Sequence, residues 1–360
     1  MTAPAPVPPP AGVAPRSRGA RAVVAVLAAA ALLLARCANA PPVPAAPHRI
    51  VACGQPIAID AHVVTWQDEG GYDAYRTEKR FTKEPVPDGK LRYRKVRSDL
   101  PAAIAERVQQ HGWQIDDLQQ VVHLFVLHFD VAGTSRQCFK VLQDLRNLSV
   151  HFLLDVDGTI YQTLDVQEHA QHATIANAIS VGVEIAHPGC FPQPMNAAML
   201  RWYERDAGGW RMKFPAFLSE PGIRTAGFVP RPDRPEPIEG TIHGTTYWQL
   251  DYTREQYQSL AQLCAALHRV FPRIRLEVPR DDSGAIVTTN LPAEELLAFD
   301  GIVGHFHVQR NKQDPGPAFQ WERLLREARA LVAVDAAPAQ RTAESSPPST
   351  DMQQGPMMPR

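Results

Sequence analysis

Cysteine is scarce. Five residues in 360 cannot form the disulfide framework on which a coreless secreted mini-protein depends. None sits in a C-x-x-C pair, which removes the usual cysteine zinc site. An excess of charge of one sign is also missing. Lys plus Arg number 37 and Asp plus Glu 38, for a net charge of -1, so nothing electrostatic favours nucleic acid as a partner. Beyond the N-terminus no apolar run is long enough to span a bilayer, and there is no internal repeat and no H-E-x-x-H motif. What remains is ordinary for a globular protein: 44% hydrophobic and 21% charged residues, enough chain for one large domain or two modest ones. The 33 prolines are uneven, with ten in residues 1–47 and five in 336–360. Both ends therefore read as tails around a globular part near 48–334.

The first forty residues have the form of an export signal. Arg16, Arg18 and Arg21 precede Ala22–Ala35, fourteen apolar residues, short for a membrane span and right for a signal core. Two cleavage sites compete. Leu34-Ala35-Arg36-Cys37 resembles a lipoprotein box ending in a lipidated Cys37, while Ala38-Asn39-Ala40 is an A-x-A site. Either predicts an exported, periplasmic protein, and the first adds membrane attachment through an N-terminal lipid, at the outer membrane. Residues 41–47 form a Pro-rich linker. Cys53, Cys138, Cys190 and Cys264 are left either to pair in an oxidising compartment or to stay as buried thiols.

Residues 48–118 read as an N-terminal extension packed on the larger domain C-terminal to it, with no chemistry of their own. From 119 to 334 the pattern predicts an α/β domain, a mixed central sheet flanked by helices. Val121–Phe129, Val150–Asp155, Thr159–Leu164, Ser180–Ala186 and Gly301–Val308 are strand-like. Asp157-Gly158 marks a hairpin. Alternation sends Val181, Val183 and Ile185 to one face and Gly182 and Glu184 to the other. Gln137–Asn147 predicts a helix with Phe139, Leu142 and Leu145 inward. Thr253–Phe271 predicts another, opened by a Thr253/Gln256 capping box, and Trp321–Val334 a closing one. Residues 188–250, rich in proline and aromatics, read as a long surface insertion, and 335–360 as a disordered tail.

Three side chains could ligate a metal. His128 and His305 each close an apolar strand, and Asp314 lies in Lys312-Gln-Asp-Pro-Gly-Pro317. Two imidazoles and a carboxylate suit an open zinc site with water as fourth ligand. Thirteen histidines offer many such triples, so spacing alone does not select this one. Glu184 could serve as general base, and the Lys312 ammonium could stabilise an oxyanion. Taken singly, each is equally a solvated surface residue.

Order makes these segments specific. A strand ending in His128 is followed by Ser149-Val-His151-Phe-Leu-Leu-Asp-Val-Asp157-Gly158, His169-Ala-Gln-His172-Ala, Asn177-Ala-Ile-Ser-Val-Gly-Val-Glu184, Gly304-His305 and Lys312-x-Asp314-Pro-Gly-Pro-x-Phe319-x-Trp321. The set resembles the zinc-dependent N-acetylmuramoyl-L-alanine amidases of the type-2 family, whose fold peptidoglycan-recognition proteins share, over residues 119–334. The resemblance implies one Zn2+ held by His128, His305 and Asp314, a catalytic Glu184 and Lys312, and a substrate groove lined by His172 and Asn177. His151 is left a structural role. The implied substrate is peptidoglycan or a muropeptide, cut at the amide between N-acetylmuramic acid and L-alanine in cell-wall remodelling or recycling.

Three departures stand out. The His305–Asp314 gap is one residue shorter than the family pattern, which leaves His307 as a rival ligand on the same strand face. Gln171 replaces the usual tryptophan, and the 188–250 insertion has no counterpart in small members. Two other functions stay open: a non-catalytic peptidoglycan-binding module, and a zinc peptidase acting within the stem peptide.

Overall fold

A computed structural model describes residues 48–81 and 91–336. The signal segment, Cys37, the linker and the tail beyond 336 lie outside the described residues. The centre is a six-stranded mixed sheet. Its strands are β1 Val63–Thr65, β2 Leu124–Phe129, β3 Phe152–Leu154, β4 Ile160–Gln162, β5 Ser180–Ile185 and β6 Gly301–Gly304. Their spatial order is β6-β2-β5-β3-β4-β1. Every neighbouring pair is parallel except the β3–β4 hairpin. That hairpin turns at Asp157-Gly158, where Gly158 holds φ +83° and Asp155 N–H donates to Thr159 O at 2.9 Å. β1 comes from the segment before residue 118, so this extension is built into the sheet.

One face of β2 and β5 carries Phe125, Leu127, Phe129, Val181, Val183 and Ile185, all in the main core. It is covered by α2 (Arg254–Val270) and α4 (Trp321–Ala336). The Thr253/Gln256 capping box forms as expected, satisfying N–H groups that open a helix. Leu260, Cys264, Leu267, Leu324, Leu325 and Ala328 are buried against the sheet. Each large apolar side chain so buried contributes about 1.5–3 kcal/mol. Among the described residues no helix is long and apolar enough to cross a membrane. Cys53, Cys138, Cys190 and Cys264 are free thiols, Cys138 and Cys264 buried.

Three expectations change. The predicted Gln137–Asn147 helix is a short α1 (Ser135–Phe139) running into a π-helix, Lys140–Arg146. The wider turn breaks the 3.6-residue face, so Leu145 is exposed while Gln143 and Asp144 are buried. Residues 188–250 are not merely a surface excursion. They form two hairpins, Tyr203–Asp206 with Gly209–Met212 and Ile238–Ile242 with Thr245–Gln249. Met199, Trp202, Tyr203, Met212 and Leu218 form a buried cluster there.

The third correction bears on the site. The last strand stops at Gly304, and His305–Val308 is a single helical turn, α3. His305 and His307 therefore do not share a strand face; about 100° of rotation per residue turns them apart.

Candidate metal centre

Parallel register assembles the site. His128 on β2 pairs laterally with Glu184 on β5, and Leu127 with Gly304 on β6. The next residue on the β6 side, His305, is therefore level with His128. Alternation points His128 and Glu184 away from the core face that carries Leu127 and Val183. Asp314 closes the site from the loop after α3, which is tied back by Phe306 N–H donating to Asp314 O at 3.1 Å. His128 Nδ1 lies 2.8 Å from His305 Nδ1 and 3.1 Å from Asp314 Oδ2, and His305 Nδ1 lies 2.8 Å from the same oxygen. All three residues are buried.

The far sides of the rings settle which nitrogen is free. His305 Nε2 donates to the Gln309 amide oxygen at 2.8 Å, leaving Nδ1 with its lone pair. His128 Nε2 is 3.0 Å from His172 Nδ1, and His172 Nε2 is 3.3 Å from Ser180 Oγ. A proton on each Nε2 satisfies that chain and leaves His128 Nδ1 facing inward. Two lone pairs and a carboxylate at such distances repel unless a cation lies among them. Burial, reinforced by His305, lowers the His128 pKa to about 4, so the ring is neutral as a ligand must be. Neutral imidazoles with a carboxylate, and outer partners fixing the rings, fit zinc.

Glu184 is half-buried. Desolvation first, then the nearby charges of Asp314 and Asp130, hold it well above the ordinary carboxyl range, with Lys312 pulling the other way. Lys312 is half-buried on the loop that carries Asp314, and its carbonyl accepts from His243 Nε2 at 3.0 Å. His172 packs on the outer side of His128. Asn177 Oδ1 accepts from the backbone N–H groups of His172 and Ala173 at 3.0 and 2.6 Å, which fixes the turn carrying His172. His151 Nε2 is 3.0 Å from Glu168 O, and its Nδ1 accepts from Gly182 N–H at 3.1 Å, a role within the sheet. His307 is turned away: its Nδ1 accepts from Gly304 N–H at 2.9 Å and its Nε2 donates to Val287 O at 2.7 Å.

Some residues near the site carried no sequence signal. Arg97, from the segment with no assigned chemistry, is buried and donates to Val166 O, Asn177 O, Ala178 O and Ser180 O at 2.7–3.2 Å. It locks the entry to β5. Gly182 matters by its size: a Cβ there would lie 2.5 Å from the His172 ring. Gly182→Ala should cost roughly 1–3 kcal/mol by overpacking and push His172 off His128. Urea melts check the cost, and unchanged melts would show that the ring yields freely.

Residues 118–214 match the family model described as N-acetylmuramoyl-L-alanine amidase. No curated protein matches the chain. Among solved structures, AmiD from E. coli, in complex with anhydro-N-acetylmuramic acid-L-Ala-D-gamma-Glu-L-Lys, is 17% identical over 57% of this chain and 57% of its own, with a TM-score of 0.32. Staphylococcus aureus AmiA is 11% identical over 68% and 98%, with a TM-score of 0.33. An AmpD derivative is 21% identical over 59% and 86%, with a TM-score of 0.28. His128, His172 and Glu184 lie within the matched segment; His305, Lys312 and Asp314 lie beyond it and join the site through the fold. Over residues 118–214 the chain is therefore similar to the N-acetylmuramoyl-L-alanine amidases.

Proposed function

We propose that the chain is a zinc-dependent enzyme that hydrolyses the amide between N-acetylmuramic acid and L-alanine in peptidoglycan or muropeptides. The observation that carries this reading is the convergence of His128 Nδ1, His305 Nδ1 and Asp314 Oδ2, beside Glu184, in a chain whose residues 118–214 match the amidase family. His128, His305 and Asp314 would hold the ion, which supplies Lewis acidity toward a carbonyl oxygen and acidifies water. Glu184, on the strand next to His128, takes the proton of the attacking water and delivers it to the departing alanine nitrogen. The Lys312 ammonium offsets negative charge growing on the carbonyl oxygen. The desolvated setting that raises the Glu184 pKa makes its carboxylate a stronger base once ionised. Export to the periplasm, with Cys37 as lipid anchor, would bring the enzyme to this substrate.

The test is mass spectrometry of muropeptides digested by the full-length, zinc-loaded protein. Free stem peptides beside glycan with intact sugars are expected. Cuts confined to the stem peptide, with the lactyl amide whole, would make it a peptidase, and binding without any cut would make it a recognition module.

A further inference from the structure

We propose that the 188–250 insertion braces the metal loop, and that Gln249 and the adjoining Tyr252 are its positioning residues. The proposal rests on the zinc reading of the site and assigns to the insertion a task that the family match leaves open.

Asp314 and Lys312 lie on a loop that belongs to no strand of the sheet. The loop must be fixed from elsewhere if Asp314 Oδ2 is to stay beside both histidines. The contacts come from the insertion and its exit. Gln249 closes the second hairpin of the insertion and is 0% exposed. Its Nε2 donates to Pro315 O at 3.1 Å, and its Oε1 accepts from Ala318 N–H at 2.9 Å. One carboxamide thus spans the turn directly after Asp314 as a neighbouring strand would. The Tyr252 hydroxyl donates to the same Pro315 carbonyl at 2.7 Å.

The fit is close. Gly316 holds φ +89°, and a Cβ there would meet the Gln249 side chain at 2.2 Å, so the loop backbone lies directly on the carboxamide. At the other end of the loop, His243 of the insertion donates to Lys312 O. A fully buried glutamine is costly unless both its ends are paired. Here both are paired to backbone 66 and 69 residues away. That cost has a use only if the loop's position matters. Groups that orient metal ligands from outside commonly govern affinity by about 10–100-fold.

The experiment compares the full-length parent with Gln249→Met, which keeps length but loses both hydrogen bonds to the loop, and Tyr252→Phe, which loses one. Zinc affinity is read by competition with a chromogenic chelator, and the unfolding temperature of the metal-free proteins is measured in parallel. The brace predicts that Gln249→Met weakens zinc binding at least about tenfold, and Tyr252→Phe severalfold, by more than any change in unfolding temperature accounts for. Zinc affinity within twofold of the parent would overturn the proposal, even beside a lowered unfolding temperature, because a purely structural contact behaves that way. If Gln249→Met does not fold, Tyr252→Phe decides on the same two readings. Amide exchange at Ala318 in the metal-free parent separates this from failure of the zinc reading. A protected Ala318 in a parent that binds no zinc would keep the brace and sink the metal; an unprotected one would sink the brace.

Discussion

His305→Ala should remove zinc and activity together, whereas His307→Ala should keep the metal and most of the activity. A single residue separates the two within one helical turn, and the structure gives them opposite tasks. His305 Nδ1 lies 2.8 Å from both His128 Nδ1 and Asp314 Oδ2, so its loss leaves two donors where zinc needs three from the protein. Both His307 ring nitrogens are occupied, one by Gly304 N–H and the other by Val287 O. Its removal strands two buried backbone groups, at a cost of roughly 1–3 kcal/mol each. The expected signature of His307→Ala is therefore a lower melting temperature with normal metal content. Metal analysis of the two purified variants decides the matter. A folded His307→Ala without zinc, beside a zinc-loaded His305→Ala, would exchange the two assignments.

The same pair shows where the sequence stops being legible. Gly301-Ile-Val-Gly-His-Phe-His-Val308 alternates like a strand, and nothing local announces that the strand ends at Gly304. The break is made by long-range partners: Asp314 O takes the Phe306 N–H, and Val287 O takes the His307 ring. Elements with local causes were readable. The Asp157-Gly158 hairpin, the Thr253/Gln256 capping box and the alternation placing Glu184 opposite the valines all have causes within a few residues. The metal triple was readable only through the order of several motifs, because two histidines and an aspartate among thirteen histidines select nothing by themselves. Arg97 and Gln249 were not readable. Each is a lone buried polar residue whose partners lie more than sixty residues away, and no periodicity records such a pairing. The π-helix at Lys140–Arg146 hid for a different reason, since its residues also suit an ordinary helix.

Glu184→Gln should keep zinc and lower turnover by about 10²–10⁴-fold, or roughly 3–5 kcal/mol of barrier, the usual share of a general base. The metal should survive because Glu184 sits beside the triple without belonging to it. His128, its lateral partner across the sheet, turns its Nδ1 toward His305 and Asp314. The fold should survive as well. An amide matches the carboxyl in shape, and Glu184 is held well above the ordinary carboxyl range by burial and by the neighbouring charges of Asp314 and Asp130. A neutral side chain relieves both, so the variant should melt no earlier than the parent. Proton transfer is then the one property lost, because glutamine cannot accept the proton of an attacking water. Three readings on one preparation separate the outcomes. Normal zinc and a normal melt with turnover at the background rate support the assignment. Zinc loss would recast Glu184 as a ligand. Turnover within a few-fold of the parent would return it to a half-buried strand residue and require a different base.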